Sequence, residues 1–430
     1  MASSTNAKMA SAAPTGRVAP AALLPKAVPA GLRSGDPGYR RIAAALFAAG
    51  VATFALLYST QALLPELARS FRVSAGQSTL SLSLATAGLG VALLVAGPAS
   101  EVLGRTRLIR LSLIASAVVA LACAAAPDWG WLLLLRLAQG VTLAGLPAAA
   151  TAYLREELHP DTYARAAGLY IGGTALGGMA GRLLAGAVAD AAGWRWALAA
   201  VALLGLACAG IVALTLPPSR NFSPVPARPR ELALMTRRAL ADPGLLALYA
   251  IGACAMGAFV AVYNAIGFRL TAAPLRLSAV TAGLVFLVYP IGTVSSVIAG
   301  RMAERFSRRA VVPAGCLITA AGVLLTLPGR LLPIVAGLAL MTAGFFAVHG
   351  VASGWVPARA HAGGVASAQA ASLYLLAYYL GSSVFGNLAG RAWTLGAWPA
   401  VVALALALLV ICGLLAAWLR HTPALVPGRR

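Results

Sequence analysis

Lysine is almost absent from this sequence. Lys8 and Lys26 are the only lysines among 430 residues, although the chain carries 33 basic residues. A phosphate-binding loop of the G-x-x-x-x-G-K-(S/T) type needs a lysine after a glycine-rich turn, and no lysine follows residue 26. The sequence therefore excludes an ATPase site of that kind and also a Schiff-base lysine in the core.

Charge of either sign is scarce, and acids are scarcest. Only 10% of the residues are charged, and the 11 acids all avoid the middle of the apolar stretches. A membrane-embedded enzyme would need a clustered catalytic set, such as paired acids or a histidine near serine and aspartate within such a stretch. The sequence has no such set, which argues against an enzyme.

The five cysteines occur singly in apolar segments, at Cys123, Cys208, Cys254, Cys316 and Cys412. They have no C-x-x-C spacing and no neighbouring histidine pairs, so we interpret them as small buried apolar residues rather than metal ligands or disulfides. The sequence predicts neither a metal site nor a cofactor.

Apolar residues make up 60% of the chain. They fall in blocks of about 20, the length that a helix needs to cross the hydrocarbon core of a bilayer. The sequence predicts an all-α membrane protein with twelve spans, at about 42–64, 78–98, 108–126, 131–152, 166–188, 196–216, 244–268, 280–300, 310–328, 332–353, 365–389 and 398–418. We expect two six-helix bundles over 40–216 and 244–419, a disordered basic tail over 1–39, a hydrophilic linker over 217–243 and a short tail over 420–430.

The net charge of +22 raises the possibility of nucleic-acid binding, but the basic residues form no aromatic-interleaved patch or finger motif. Most of them lie between spans on the side that carries both termini. The opposite loops carry seven arginines: Arg69, Arg72, Arg195, Arg269, Arg276, Arg330 and Arg391. Because basic loops stay in the cytoplasm, we expect both termini to be cytoplasmic and no nucleic-acid partner.

One loop occurs twice. Gly97-Pro-Ala-Ser-Glu-Val-Leu-Gly-Arg105 and Gly300-Arg-Met-Ala-Glu-Arg-Phe-Ser-Arg308 both read G-x-x-x-E-x-x-(G/S)-R. At an offset of 204 or 205 residues, further positions match: Phe54, Tyr58, Gly140, Tyr170, Gly177, Gly186 and Trp194 correspond to Phe259, Tyr263, Gly344, Tyr374, Gly381, Gly390 and Trp398. A series at nearly constant offset indicates two pseudo-symmetric bundles, an arrangement typical of secondary transporters.

Two interpretations of the repeated loop are open. It is either a plain topology loop or a gate, because a glutamate followed at i+4 by arginine can pair locally and also face a neighbouring helix end. We favour a gate, formed by Gly97, Glu101, Gly104 and Arg105 and by Gly300, Glu304 and Arg308. The loop resembles the signature loop of the major facilitator superfamily, with Glu101 where that family usually has aspartate.

Two arginines lie within spans, where each needs a partner, a wet cavity or a route to the surface. Arg136-Leu-Ala-Gln-Gly140 resembles the R-x-x-Q-G motif of the fourth span of that superfamily, and the resemblance implies a role in proton coupling for Arg136 with Gln139. For Arg182, snorkelling of the side chain to the surface is the alternative to a place in the substrate path.

Span 5 carries Gly173, Gly177 and Gly181 at i,i+4 spacing, which predicts close approach of another helix. The stretch Gly177-Gly-Met-Ala-Gly-Arg182 resembles the G-P-x-x-G-G motif of antiporters in the superfamily, with Gly178 and Arg182 as departures from it.

Further polar and aromatic residues fall in spans expected to face a central cavity. We expect the substrate path to include Tyr58, Gln61, Tyr170, Arg182, Tyr263, Asn264, Tyr374, Tyr378 and Asn387. His349 is either a hydrogen-bonded core histidine or a proton carrier. The second alternative is considered because burying a histidine within a membrane costs free energy that a function would justify.

The resemblance covers residues 40–418 and implies the major facilitator fold, in which two bundles rock around a central site. It also implies a monomer in the bacterial inner membrane that couples efflux of a small organic molecule to protons. Exporters of cationic drugs in the family usually have a membrane carboxylate, which this chain lacks, so we expect a neutral or anionic substrate. The alternatives are an importer or uniporter and a transporter-like sensor, which would share these features.

Overall fold

The computed structural model describes residues 31–222 and 229–422, and these residues are almost entirely helical. In the N-terminal half, span 1 is Pro37–Tyr58, followed by the short helices Gln61–Leu63 and Leu64–Phe71. Span 2 is Leu80–Leu103, preceded by the short helix Ala75–Ser78, and span 3 is Arg105–Ala124. Span 4 consists of Trp129–Leu143 and Gly145–Glu157, span 5 is Pro160–Ala192, and span 6 is Trp194–Thr215.

The C-terminal half repeats this arrangement after a linker helix, Pro229–Ala241. Span 7 is Pro243–Thr271, span 8 is Ala279–Gly283, Leu284–Val288 and Pro290–Arg305, span 9 is Arg308–Leu325, span 10 is Leu331–Ala362, and spans 11 and 12 are Ser367–His421. Spans 11 and 12 follow each other directly, with non-helical backbone at Gly396 and Ala397 between them. The described residues thus contain 11 helical stretches long and apolar enough to cross a membrane, the last of which holds two spans.

Several breaks in the helices are followed by a proline. Pro65, Pro147 and Pro290 lie within the first residues after an interruption in spans 1, 4 and 8, and Pro399 lies near the start of span 12. Proline lacks the amide hydrogen that a helix interior needs and disfavours helical backbone in the residue before it. Span boundaries predicted from hydropathy alone do not mark these breaks. Most of the predicted spans also end too early, because polar helix ends extend beyond the apolar block.

Two predicted irregular segments are partly ordered. Residues 1–30, 223–228 and 423–430, which include most of the two predicted tails, lie outside the described residues. The remainder of the 1–39 tail was wrongly expected to be disordered, since span 1 begins at Pro37 and the backbone amide of Leu32 donates to the carbonyl of Glu157 at 3.0 Å. The predicted 217–243 linker contains a helix, which buries Ala239 and accepts a hydrogen bond at Thr236 from Gln369, 2.8 Å away.

The spans alternate in direction, which defines two ends of the molecule. The terminal end carries residues 31–36, the repeated loops and the linker; the distal end carries the turns at 72–74, 125–128, 272–278 and 326–330. Large apolar side chains are exposed on the flanks, including Leu214 (89%) and Leu332 (80%). Such exposure is unfavourable in water and suits contact with lipid.

Glycines set the internal packing of each bundle. A Cβ at Gly173, Gly177 or Gly181 would collide with the backbone of Phe47, Val51 or Ala55, so span 5 lies directly on span 1. The predicted packing stripe is thus a real close approach. In the second bundle Gly381 of span 11 lies in the same way on Ala253 of span 7. The corresponding contact in both halves reflects the duplication.

Candidate functional site

The two bundles meet closely at the distal end. Asn387 of span 11 donates from Nδ2 to the carbonyl of Gly76 at 2.8 Å, and a Cβ at Gly390 would lie 2.7 Å from the carbonyl oxygen of Ala75. On the other side of the interface, Gly186 of span 5 approaches Ala279 of span 8. Asn387, expected in the substrate path, therefore joins the bundles at their closed end.

The interface opens toward the terminal end. A Cβ at Gly90 of span 2 would lie 3.0 Å from the Cβ of Tyr379 in span 11, whereas a Cβ at Gly97, about two turns further along, would meet nothing within 4 Å. Gly300 at the second loop is equally open. The close contacts between the bundles thus lie at the distal end, and the polar residues of the spans lie between that end and the wider terminal end.

Arg182 projects into the interface and does not snorkel. Its side chain is 1% exposed, and its guanidinium lies 4.3 Å from the ring centroid of Tyr58, 4.6 Å from that of Tyr289 and 5.0 Å from that of Phe286. Its Nε donates to Gln61 at 2.6 Å, and its Nη1 donates to the carbonyl of Gly178. Every one of these partners is neutral.

Gln61 carries the contact from one bundle to the other. While its Oε1 accepts from Arg182, its Nε2 donates to Oδ1 of Asn264 at 2.6 Å, and Asn264 donates to the carbonyl of Gly386 at 3.2 Å. Three residues expected in the substrate path, Gln61, Arg182 and Asn264, are therefore in one hydrogen-bonded group, and a fourth, Tyr58, packs its ring on Arg182. On its distal side a cavity of about 260 Å³ is lined by Gln61, Glu66, Asp190 and others.

A second group surrounds His349. Its Nδ1 lies 3.0 Å from the hydroxyl of Tyr374, and its ring lies 4.6 Å from that of Tyr378 and 5.9 Å from that of Phe345. His349 and Tyr378 are half-buried. An imidazole bonded through one nitrogen to a phenol, at a partly open position, can exchange a proton.

Arg136 lies in the core of the N-terminal bundle and is fully buried. Its guanidinium donates to the carbonyls of Ser81 at 2.9 Å, Leu56 at 3.1 Å and Leu57 at 2.5 Å, and also to the side chain of Gln139. Leu56 and Leu57 end the first helix of span 1, where carbonyls lack helical partners. Arg136 thus satisfies backbone groups that the break in span 1 leaves free, and the predicted pair with Gln139 is formed.

The first repeated loop is a compact ion-pair network. Arg105 Nη2 lies 2.7 Å from Glu101 and 2.8 Å from Glu156, and the Phe222 ring covers its guanidinium at 5.2 Å. Gly104 has a φ of +87°, which an L-residue with a side chain rarely adopts. Sequence reasoning missed Glu156, although its place at the end of span 4 beside Glu157 was a usable signal.

The second loop lacks the expected local pair. Glu304 and Arg308 are both exposed, and within the described residues no ion pair links them. At an offset of 204 residues the position of Glu156 is taken by Ala360, so the carboxylate that holds Arg105 has no counterpart. The residue corresponding to Gly104 is Ser307, which adopts a φ of +131°.

The remaining predicted residues lie within single bundles. Tyr263 is buried and exchanges a hydrogen bond with Thr342 at 2.8 Å, while Tyr170 of span 5 is 9% exposed. Sequence reasoning also missed Tyr289 and Phe286, which cover Arg182 from span 8. The signal available for them was the aromatic residue just before Pro290 in an interrupted span.

Comparison with known proteins agrees with this geometry. Residues 46–292 match the Major Facilitator Superfamily. The chain belongs to this family. It is therefore a membrane transporter with twelve spans in two pseudo-symmetric bundles, and not an enzyme, which confirms the resemblance seen in the repeated loop.

Individual relatives cover nearly the whole chain. It is 42% identical to the inner membrane transport protein YnfM of Escherichia coli over 88% of this chain and 90% of that protein. It is 39% identical to the uncharacterized MFS-type transporter YybF of Bacillus subtilis over 91% and 96%. Among solved structures, a bacterial homolog of the human lysosomal transporter Spinster shares 19% identity with a TM-score of 0.74, covering 89% of this chain and 97% of that one.

Proposed function

We propose that this transporter exports a small anionic or neutral organic compound in exchange for protons, by alternating exposure of the site between the bundles. The observation that carries the proposal is the neutral surroundings of Arg182. No carboxylate of the described residues lies within 4.0 Å of its guanidinium, so a buried positive charge at the bundle interface has only dipoles and aromatic rings to stabilise it.

An uncompensated arginine favours an anionic ligand. A charge at the centre of a membrane costs about 2.5–3.5 kcal/mol even by insertion scales, and a carboxylate or phosphate that binds the guanidinium in two-pronged geometry offsets that cost. Tyr58, Tyr289 and Phe286 already surround the cation, so an anion attached to a planar apolar group would find aromatic surface beside the charge.

His349 is the proposed proton carrier. An arginine does not release its proton in proteins, so Arg136 contributes to coupling indirectly, by holding the carbonyls at the break in span 1. His349 is half-buried and bonded to Tyr374, 3.0 Å away. Proton uptake at His349 and substrate binding at Arg182 would both change the net charge between the bundles. This shared effect on charge would couple proton movement to substrate movement.

Charge supports the proposed orientation in the membrane. The terminal end carries most of the basic residues, which supports a cytoplasmic location for both termini, and a relative is named an inner membrane transport protein. With this orientation the wider end of the interface faces the cytoplasm, the side from which an exporter loads its substrate. We further propose that the monomer is the transporting unit, since each chain contains both bundles.

The experiment is proton flux in liposomes that contain the purified full chain and an interior pH dye. A panel of organic acids and matched neutral amides is added to one side. We expect proton movement that depends on an organic acid. Arg182→Gln should lower the preference for the acid over its amide by about tenfold, the loss of one charge-assisted interaction. Arg330→Gln, at an exposed distal loop, is the control and should change nothing.

His349→Gln separates coupling from transport. We expect this variant to keep exchange of labelled substrate across the membrane while losing proton movement. Substrate uptake without proton movement in the wild type would instead identify a uniporter or importer. Binding without any flux would identify a sensor, and either result would contradict the proposal.

A further inference from the structure

A recess at the terminal end of the C-terminal bundle has no assigned role. It lies between the start of span 9 and the end of span 10, has a volume of about 290 Å³, and is lined by Ser307, Arg308, Arg309, Trp355 and Arg359 among others. Three arginines in one recess make it strongly basic. It lies outside the interface between the bundles.

The corresponding place in the N-terminal bundle is filled by the chain itself. Arg105 corresponds to Arg308 at an offset of 203 residues, and the linker segment 217–222 covers it. Phe222 stacks on Arg105 at 5.2 Å, and the backbone amides of residues 220 and 221 donate to Glu157 at 2.6 and 3.0 Å. The positive charge of Arg105 is therefore neutralised by a carboxylate of the same bundle, that of Glu156.

The C-terminal copy has kept the arginines and lost both carboxylates. At an offset of 204 residues Ala360 and His361 stand where the first copy has Glu156 and Glu157. Arg359 has one acid, Asp242, at 2.8 Å, and Arg309 donates to the carbonyls of Arg420 at 2.9 Å and Thr422 at 2.6 Å.

Arg308 is the unused cation of the recess. Its guanidinium is exposed and has no hydrogen-bond or ion-pair partner within residues 31–222 and 229–422. It also stands at the first position of span 9, where no side chain caps the helix and the helix dipole favours an anion. The recess thus presents one free guanidinium and two that are oriented by their partners.

We propose that this recess binds a phosphate-bearing anion, either the headgroup of an acidic phospholipid or free phosphate. A guanidinium group can donate two parallel hydrogen bonds to two oxygens of a phosphate. Trp355 lines the recess, and Phe306 beside it is 61% exposed with Arg305 over its ring at 5.3 Å. Tryptophan is enriched at the headgroup level of a membrane, so Trp355 favours a position of the recess where a lipid phosphate would reach it.

The test measures binding to the purified full chain in neutral detergent. Native mass spectrometry and thermal unfolding are followed while phosphatidylglycerol, phosphatidylcholine or inorganic phosphate is added. We expect saturable binding of phosphatidylglycerol or of inorganic phosphate, with little binding of phosphatidylcholine. Binding of the lipid alone identifies a headgroup site, whereas binding of inorganic phosphate with the same dependence on Arg308 identifies a site for the free ion.

Variants decide whether the recess is the site. Arg308→Gln removes an exposed charge and should weaken binding about tenfold. His361→Glu, also at an exposed position, restores an acid as in the first copy and should weaken binding similarly while leaving the unliganded protein as stable as the wild type. Arg301→Gln, exposed at the same end but outside the recess, is the matched control. Binding that is absent in the wild type, or that falls equally in the Arg301 control, would overturn the proposal.

Discussion

Replacement of Arg136 by methionine tests whether this arginine is chiefly structural. The change keeps much of the side-chain volume and removes every hydrogen bond of the guanidinium. The carbonyl of Leu57 and the Oε1 of Gln139 would then lose their guanidinium donors in a site that is fully buried. The carbonyl of Leu56 keeps the hydroxyl of Ser59 at 3.0 Å, and the carbonyl of Ser81 lies within a helix. The expected result is a less stable N-terminal bundle.

The magnitude follows from those two acceptors. An unsatisfied buried polar group costs about 1–3 kcal/mol, so two give about 2–6 kcal/mol. Removal of the buried guanidinium also relieves its own desolvation, which places the expected loss near the lower end, at about 2–3 kcal/mol. Arg182→Met should cost less, since it leaves one acceptor, the Oε1 of Gln61, without its donor, while the carbonyl of Gly178 lies within a helix.

The assay is reversible unfolding of the detergent-solubilised protein in increasing sodium dodecyl sulfate, followed by circular dichroism. Wild type, Arg136→Met and Arg182→Met are compared at the same protein concentration, and each variant is also assayed for transport in liposomes. An Arg136→Met protein that unfolds within about 1 kcal/mol of the wild type, yet no longer moves protons, would refute the structural interpretation. It would favour a direct part for Arg136 in coupling, as the fourth-span motif implies.

Two further predictions concern the loops and the glycines. Glu101→Gln should abolish transport without preventing membrane insertion, because it removes a partner of Arg105 at 2.7 Å; Glu304→Gln should leave most transport intact, because Glu304 is exposed and unpaired within the described residues. Equal transport rates for the two variants in liposomes would contradict the difference between the loops. Gly177→Val should prevent folding or reduce the yield of folded protein in size-exclusion chromatography, because a Cβ there collides with the backbone of Val51; the matched change Gly172→Val, where a Cβ meets nothing within 4 Å, should be tolerated.

The two copies of the loop have similar sequences but different side-chain contacts. Both have glutamate and arginine at i and i+4, and the pattern alone predicts the same pair in each. The first pair forms because Glu156 and Phe222 hold Arg105 from distant parts of the chain. The second has no such support, so two exposed side chains remain apart, in keeping with the small energy of an isolated surface pair.

The sequence by itself determined the membrane class, the number of spans, the duplication and the family. Each of these depends on local composition or on a repeat at fixed offset, and the need to hide backbone groups from lipid leaves helices as the only form for such apolar blocks. The glycine stripe of span 5 was equally readable, since residues at i and i+4 share one face of a helix.

Only the tertiary structure decided what the arginines do. Arg182 could have reached the surface; instead it meets Gln61, 121 residues away in the chain, which in turn meets Asn264 after a further 203. Arg105 is neutralised by its own bundle while Arg308 remains free. A charged side chain adopts the direction in which its neighbours compensate its lost hydration, and those neighbours come together only when distant helices pack.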